Sequence, residues 1–132
     1  MSADALQARS IEASLTVKDL AKSVKWYTEV LGFTKTAESE RDGKIVSVSV
    51  SAGDIHLRLN QDDGKKGWDR VKGQGLSLQF STTGDLDAVA ARAKKAGATL
   101  GSEPADMPWG ARIFRITDPD GFAFTISKRL GN

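Results

Sequence analysis

The side chains in this sequence that can do chemistry are few, and their spacing is informative. His56 is the only histidine, and it stands in Ile55-His56-Leu57-Arg58-Leu59-Asn60, where apolar and polar residues alternate. An imidazole titrates near neutral pH and is a common metal ligand, so His56 can move a proton or hold a cation. Arg58 lies two residues on, and Arg115 holds the same polar parity in Phe114-Arg115-Ile116-Thr117. A guanidinium grips a carboxylate or phosphate through two parallel hydrogen bonds. Arg112 is a third arginine near the chain's end. Glu12 can act as a base or a ligand, and a neighbouring His56 or Arg58 would hold it ionised. Gln79 offers an amide, and Trp68 and Trp109 offer flat apolar area for stacking a planar molecule. Each has a structural alternative: a hydrogen-bonded strand histidine, a Glu12–arginine ion pair, a tryptophan packed against a neighbouring subunit. Thiolate chemistry is excluded, since the chain has no cysteine. No serine stands in a nucleophile elbow, and the glycines form no phosphate cradle.

These residues need strands to carry them, and the alternation supplies them. Ile11 to Val17 places Ile11, Ala13, Leu15 and Val17 on one face and Glu12, Ser14 and Thr16 on the other. Leu20, Val24, Tyr27 and Leu31 then form a helical stripe, capped by Asp19 and ended by Gly32. An extended piece over Phe33 to Arg41, the turn Asp42-Gly43, a strand over Lys44 to Ser51, the turn at Gly53 and the His56 strand follow. Gln61 to Gly73 is glycine-rich and charged, with the composition of a linker. It carries Trp68 and the cluster Lys65, Lys66, Arg70 and Lys72, read either as a solvated loop or as steering for an anionic small molecule.

The pattern then restarts. Leu76, Leu78 and Phe80 alternate with Ser77 and Gln79, and the apolar set is expected to face a helix. That helix opens at Gly84-Asp85, carries Leu86, Val89, Ala90 and Ala93, and ends at Gly97. Thr99-Leu100 reads as short and extended. A closing hairpin turns at Asp118-Pro119-Asp120-Gly121, with Phe114, Ile116, Phe124 and Ile126 on one face and Arg115, Thr125 and Ser127 on the other. Strand, helix and three strands therefore occur twice: module one over 11–60, a linker over 61–73, module two over 74–129, with 1–10 a frayed tail. Each apolar face takes a helix. The polar faces cannot pack together dry, because an unpaired buried polar group costs roughly 1–3 kcal/mol. A curved sheet around a wet cup resolves this, and such cavities bind small ligands.

Composition agrees with one globular unit. At 132 residues, with charge at 27% and no apolar run long enough to span a bilayer, the chain reads as soluble. Met1 to Ser10 lacks a basic start followed by an apolar stretch, so no secretion signal is read there and cytoplasmic location is expected. Net charge is +2 with both signs interspersed, which gives no argument for nucleic acid.

Val17-Lys18-Asp19-Leu20 with Trp26-Tyr27 and Leu31-Gly32-Phe33, then Gly84-Asp85-Leu86-Asp87, Lys95-Ala96-Gly97-Ala98, Pro108-Trp109-Gly110 and Asp118-Pro119-Asp120-Gly121, make the chain resemble the vicinal oxygen chelate superfamily. That group holds glyoxalase I, bleomycin-resistance proteins, extradiol dioxygenases and methylmalonyl-CoA epimerase. The resemblance runs over about residues 11–129. It implies an α+β fold, two βαβββ modules forming a curved eight-stranded mixed sheet around a cup with the helices outside. It further implies a homodimer in which modules of two chains complete each cup. The resembling enzymes hold a divalent metal (Zn, Ni, Mn or Fe) at four places, the first and last strand of each module. Those places fall on Glu12, His56, Ser77 and Thr125, so Glu12 and His56 are candidate metal ligands while Ser77 and Thr125 are not. The resemblance thus favours a protein that sequesters a small molecule without a metal, as the resistance proteins do. His56, Arg58, Gln79 and Arg115 would supply polar contacts, and Trp68 and Trp109 stacking. The alternative is a metal-dependent lyase, isomerase or dioxygenase of the glyoxalase type.

Overall fold

The structure, a computed structural model, describes residues 4–131; residues 1–3 of the expected tail lie outside the described residues, and residues 4–10 hold neither strand nor helix. The first module is β1 (Ala13–Val17), α1 (Leu20–Val30), β2 (Thr34–Arg41), β3 (Lys44–Ala52) and β4 (Ile55–Gln61). The second is β5 (Ser77–Ser81), α2 (Leu86–Lys95), β6 (Leu100–Met107), β7 (Ala111–Thr117) and β8 (Ala123–Arg129). Each module is a four-stranded mixed sheet, in the orders β1-β4-β3-β2 and β5-β8-β7-β6. The first strand of each runs parallel to the last, and the other pairs are antiparallel.

Local chemistry sets the element ends. Asp19 Oδ1 accepts the Lys22 N–H at 3.1 Å and Asp85 Oδ1 accepts the Ala88 N–H at 3.1 Å, satisfying donors that each helix leaves free in its first turn. Asp42 and Gly43 both take the left-handed region, at φ 54° and 77°, as a two-residue hairpin turn demands.

Period-two alternation buries one face of each sheet. Leu15, Val17, Val48, Val50, Leu57 and Leu59 lie in the core of module one; Phe114, Ile116, Phe124 and Ile126 lie in that of module two. The two cores are continuous. The Tyr27 ring of α1 lies 5.8 Å from Phe33 and 6.0 Å from Phe124 of β8, and Phe80 stacks on Phe124 at 4.9 Å. The modules therefore meet through their helix-bearing sides. The opposite faces carry the exposed polar residues, although Ile113 and Ser127 on that face of module two are buried.

Polar tethers cross the same seam. The Tyr27 hydroxyl donates to Asp118 Oδ2 at 2.5 Å, while Asp118 Oδ1 accepts the N–H groups of Asp120 and Phe122 at 2.9 and 2.8 Å. Arg92 of α2 donates to the Glu29 and Thr28 carbonyls at the end of α1, where a helix has unsatisfied acceptors. The segment between the modules is bound across as well. Lys72 Nζ lies 2.9 Å from Asp62 and 3.6 Å from Asp120. Gly73 approaches the β7–β8 turn so closely that a Cβ there would sit 2.6 Å from the Gly121 carbonyl oxygen.

Three expectations need correction. β6 runs for eight residues where only Thr99-Leu100 looked extended. Pro104 and two register irregularities hide its alternation, and an edge strand tolerates both. Leu76 does not face the helix; it precedes β5 and is 49% exposed. β4 takes in Gln61, because the Gln61 side chain accepts the Leu20 N–H and donates to the Lys18 carbonyl, fastening the strand end to the start of α1.

Asp62 sets an acid-stability prediction. The Gly64 N–H first, then Lys72, lowers its carboxyl from 3.8 to about 2. A folded-state value below the unfolded one means that this stabilisation is present above about pH 4 and is lost as pH falls toward 2. Urea unfolding at stepped pH should show a loss in that window, and Asp62→Asn should remove that part of the loss.

Candidate functional site

Strand pairing gathers the predicted polar residues into rows. On module one, β1, β4, β3 and β2 bring Ser14, Arg58, Ser49 and Ala37 into one row and Thr16, Asn60, Ser47 and Ser39 into the next. Asn60 consolidates that end: it accepts from Ser47 Oγ at 3.0 Å and donates to Ser14 Oγ at 2.7 Å. At the other end are His56, paired in the sheet with Ser51, and Glu12, one residue ahead of β1. The Glu12 carboxylate lies 3.7 Å from Arg58 Nε, with both side chains about half exposed. A pair of that kind is worth about 0–1 kcal/mol. It neutralises Glu12 without burying it.

On module two, Gln79, Thr125 and Arg115 form one row across β5, β8 and β7, and Ser81, Ser127 and Ile113 form the next. Arg115 is exposed, and no carboxylate among the described residues pairs with its guanidinium. Trp109 occupies the tip of the β6–β7 turn, 67% exposed. Gly110 shapes that tip at φ 90°, and its N–H donates to the Met107 carbonyl at 3.1 Å. A hollow of about 530 Å³ lies between Trp109 and the sheet, bordered by Gln79, Ser81, Ser127 and Arg129. A smaller hollow of about 180 Å³ is lined by His56 and Gln79 together with Ile11 and Leu78. Gln79 thus borders both hollows, one with His56 and one with Trp109.

Two expected residues lie elsewhere. Trp68 is not on either polar sheet face: its ring covers Gly64, and it lines a hollow with Lys18, Lys22 and Ser23 at the start of α1. Asp62 causes this displacement, because it folds the segment back by accepting the Gly64 N–H at 2.9 Å and an Arg70 guanidinium bond at 3.3 Å. Arg112 is held structurally, donating twice to Asp87 at 2.9 and 3.2 Å and once to Asp106 at 3.0 Å. Arg129 was missed in the sequence, although it continues the parity of Thr125 and Ser127 along β8.

A divalent metal makes strict demands on a donor set. Zinc and similar ions need at least three protein ligands at about 2.0–2.2 Å. Among the described residues no three His, Asp or Glu side chains gather. Glu12 faces a guanidinium, and the residue opposite Thr125 is Gln79, with Ser77 opposite Ala123. These residues do not fit a divalent-metal centre. What the polar faces do offer is an unpaired cation, amide and hydroxyl groups, and an exposed indole.

Comparison with known proteins agrees with this architecture. The family model for the Glyoxalase/Bleomycin resistance protein/Dioxygenase superfamily matches residues 9–126. No curated protein matches the chain. A glyoxylase/bleomycin resistance protein/dioxygenase domain from Frankia sp. EAN1pec is 28% identical, with a TM-score of 0.78, covering 97% of this chain and 96% of that one. TioX from Micromonospora sp. ML1 is 20% identical, with a TM-score of 0.75, covering 93% and 100%. The V278E mutant of glyoxalase I from Zea mays is 24% identical with a TM-score of 0.78; 92% of this chain is covered and 45% of that longer one. The last two likenesses speak for the fold alone. With the duplicated βαβββ architecture and the family model both spanning nearly its whole length, the chain belongs to the Glyoxalase/Bleomycin resistance protein/Dioxygenase superfamily.

Proposed function

We propose that this protein sequesters a small, planar, anionic molecule, without a metal, in a cup built by two copies of the chain. The observation that carries the reading is Arg115, a guanidinium that no carboxylate among the described residues pairs with, in one row with Thr125 and Gln79; Gln79 in turn borders the hollow overlooked by Trp109. An arginine of this kind presents a fork that matches a carboxylate. An exposed indole supplies stacking area that costs little conformational entropy to order.

The shared cup is supported by the strand edges. The outer strands are guarded: β2 carries Lys35, Glu38, Glu40 and Arg41, and β6 carries Glu103, Pro104, Asp106 and two irregularities. The inner edges, β1 (ASLTV) and β5 (SLQFS), hold no charge at all. They are preceded by the exposed apolar residues Ile11 and Leu76. Ile11 and Ala13 share a hollow with Leu78 and Gln79 of the same chain, and the lack of charge along both edges is what would let a second chain extend them. Pairing β1 of one copy with β5 of the other would bring His56 and Arg58 over Gln79, Arg115 and Trp109.

A metal-dependent lyase, isomerase or dioxygenase is the competing reading, carried by Glu12 and His56 alone. Thermal melts separate the two, since a ligand of the native state at a hundred times its Kd adds about 2.7 kcal/mol. Planar aromatic carboxylates should raise Tm and added Zn, Ni, Mn or Fe should leave it unchanged. A rise with a metal and none with any carboxylate would reverse the assignment.

A further inference from the structure

A further hollow, of about 470 Å³, lies at the seam between the modules and is mostly apolar in lining. Its floor is apolar: Phe33 between α1 and β2, Phe80 of β5, Ile126 of β8 and Ile55 of β4. Leu31, Ala52 and Val89 complete the apolar lining. Asp54, on the β3–β4 turn, is the one charged residue lining the hollow. No cation among the described residues pairs with its carboxylate. Ser81, Thr82 and Thr83 supply the remaining polar groups.

We propose that this hollow is a binding site for a small apolar amine, with its aromatic or aliphatic body on Phe33, Phe80 and Ile126 and its ammonium beside Asp54. Volumes of about 300–1,000 Å³ at the junction of two units are characteristic of small-molecule sites. Water there finds polar partners only at Asp54, Ser81, Thr82 and Thr83 and none among the apolar residues that make up most of the lining. An apolar body gains by leaving water in proportion to the surface it buries. The lone carboxylate then selects charge, repelling anions and attracting cations. Arg115, on the polar face of module two, favours the opposite charge, while Asp54, Ile55 and Phe80 border both this hollow and the smaller one lined by His56 and Gln79.

The test uses three probes of matched body: 2-phenylethylamine, 3-phenylpropionate and 3-phenylpropanol. Methyl NMR of the full chain follows Ile55, Ile126 and Val89 during each titration. The amine should shift all three methyls saturably, at least about threefold tighter than the alcohol and about tenfold tighter than the carboxylate, the range expected of an exposed charge pair. Asp54→Asn should reduce the amine's affinity to that of the alcohol. Val89→Trp, which fills the hollow from a partly exposed helix position, should abolish the shifts at Ile55 and Ile126; Ala52→Leu is the second filling variant should the first unfold. The proposal is overturned if the amine produces no saturable shift up to about 10 mM, a Kd range that marks only feeble binding. Equal affinity for the carboxylate, or binding that survives filling in a folded variant, also overturns it.

Discussion

Asp118→Ala should destabilise the protein by at least about 3 kcal/mol, because it strips three donors of one buried acceptor at about 1–3 kcal/mol each. Those donors are the Tyr27 hydroxyl and the N–H groups of Asp120 and Phe122. The carboxylate sits at the seam, so the loss reaches both modules at once: the β7–β8 turn loses its internal tie, and α1 loses its bond to the second module. Burial pushes the Asp118 carboxyl up, although Tyr27 and the two N–H groups oppose that shift. Burial likewise pushes the Tyr27 phenol far up, so it remains protonated and stays the donor. Asp118→Asn keeps an acceptor in place and should cost about 1–2 kcal/mol. Tyr27→Phe should cost a similar amount, and the double variant should be non-additive, as neighbours in one network are. Equilibrium urea unfolding measures all four. A loss under about 1 kcal/mol for Asp118→Ala would show that water replaces the lost bonds and that the seam does not depend on them.

The second large effect concerns assembly. Ile11→Lys combined with Leu76→Lys should convert a dimer to a monomer, weakening self-association by at least a hundredfold. Ile11 is 84% exposed and Leu76 is 49% exposed in the single chain, so neither supports the monomer's core. Each precedes an uncharged inner strand, and in the proposed pairing both face apolar surface from the other copy. A lysine there must be desolvated or must hold the edges apart. Sedimentation equilibrium at about 10–100 μM reports the state, while far-UV circular dichroism should be unchanged. If the parent protein is monomeric over that range, the shared cup is wrong. If the double variant remains a dimer, the interface lies elsewhere.

Much of the fold can be read from the chain because each module repeats the same local rules. Asp19 and Asp85 cap helices, Gly32 and Gly97 end them, and the valine and serine alternation of 46–51 leaves one register open. What resisted reading was tertiary in origin. Asp118 looks like a turn residue, and nothing local says that a tyrosine 91 positions away donates to it. Asp62 and Lys72 look like linker charges until the seam buries them against Asp120. Trp68 has the composition of a stacking residue, yet the fold of its loop around Asp62 takes it to the start of α1. Parity was a better guide for the polar faces. It placed His56, Arg58, Gln79 and Arg115 on open sheet faces, and strand pairing then sorted them into rows. Parity also separates Arg112 from Arg115: Arg112 shares the face of Phe114 and Ile116, where Asp87 of α2 and Asp106 hold it, and no carboxylate among the described residues pairs with Arg115.

The central claim is that the unpaired Arg115 and the exposed Trp109 receive a planar anion. The most direct measurement is a fluorescence titration with 2-naphthoate, compared with the neutral 2-naphthamide, on the parent protein, Arg115→Gln and Trp109→Phe. Saturable quenching by the carboxylate is expected, weakened about 10- to 100-fold in Arg115→Gln, as the loss of a charge-assisted bond worth about 1.5–3 kcal/mol requires. The quenching should be largely absent in Trp109→Phe, and the amide should bind poorly throughout. Equal binding of 2-naphthoate by the parent and Arg115→Gln, or no response in the parent, would contradict it.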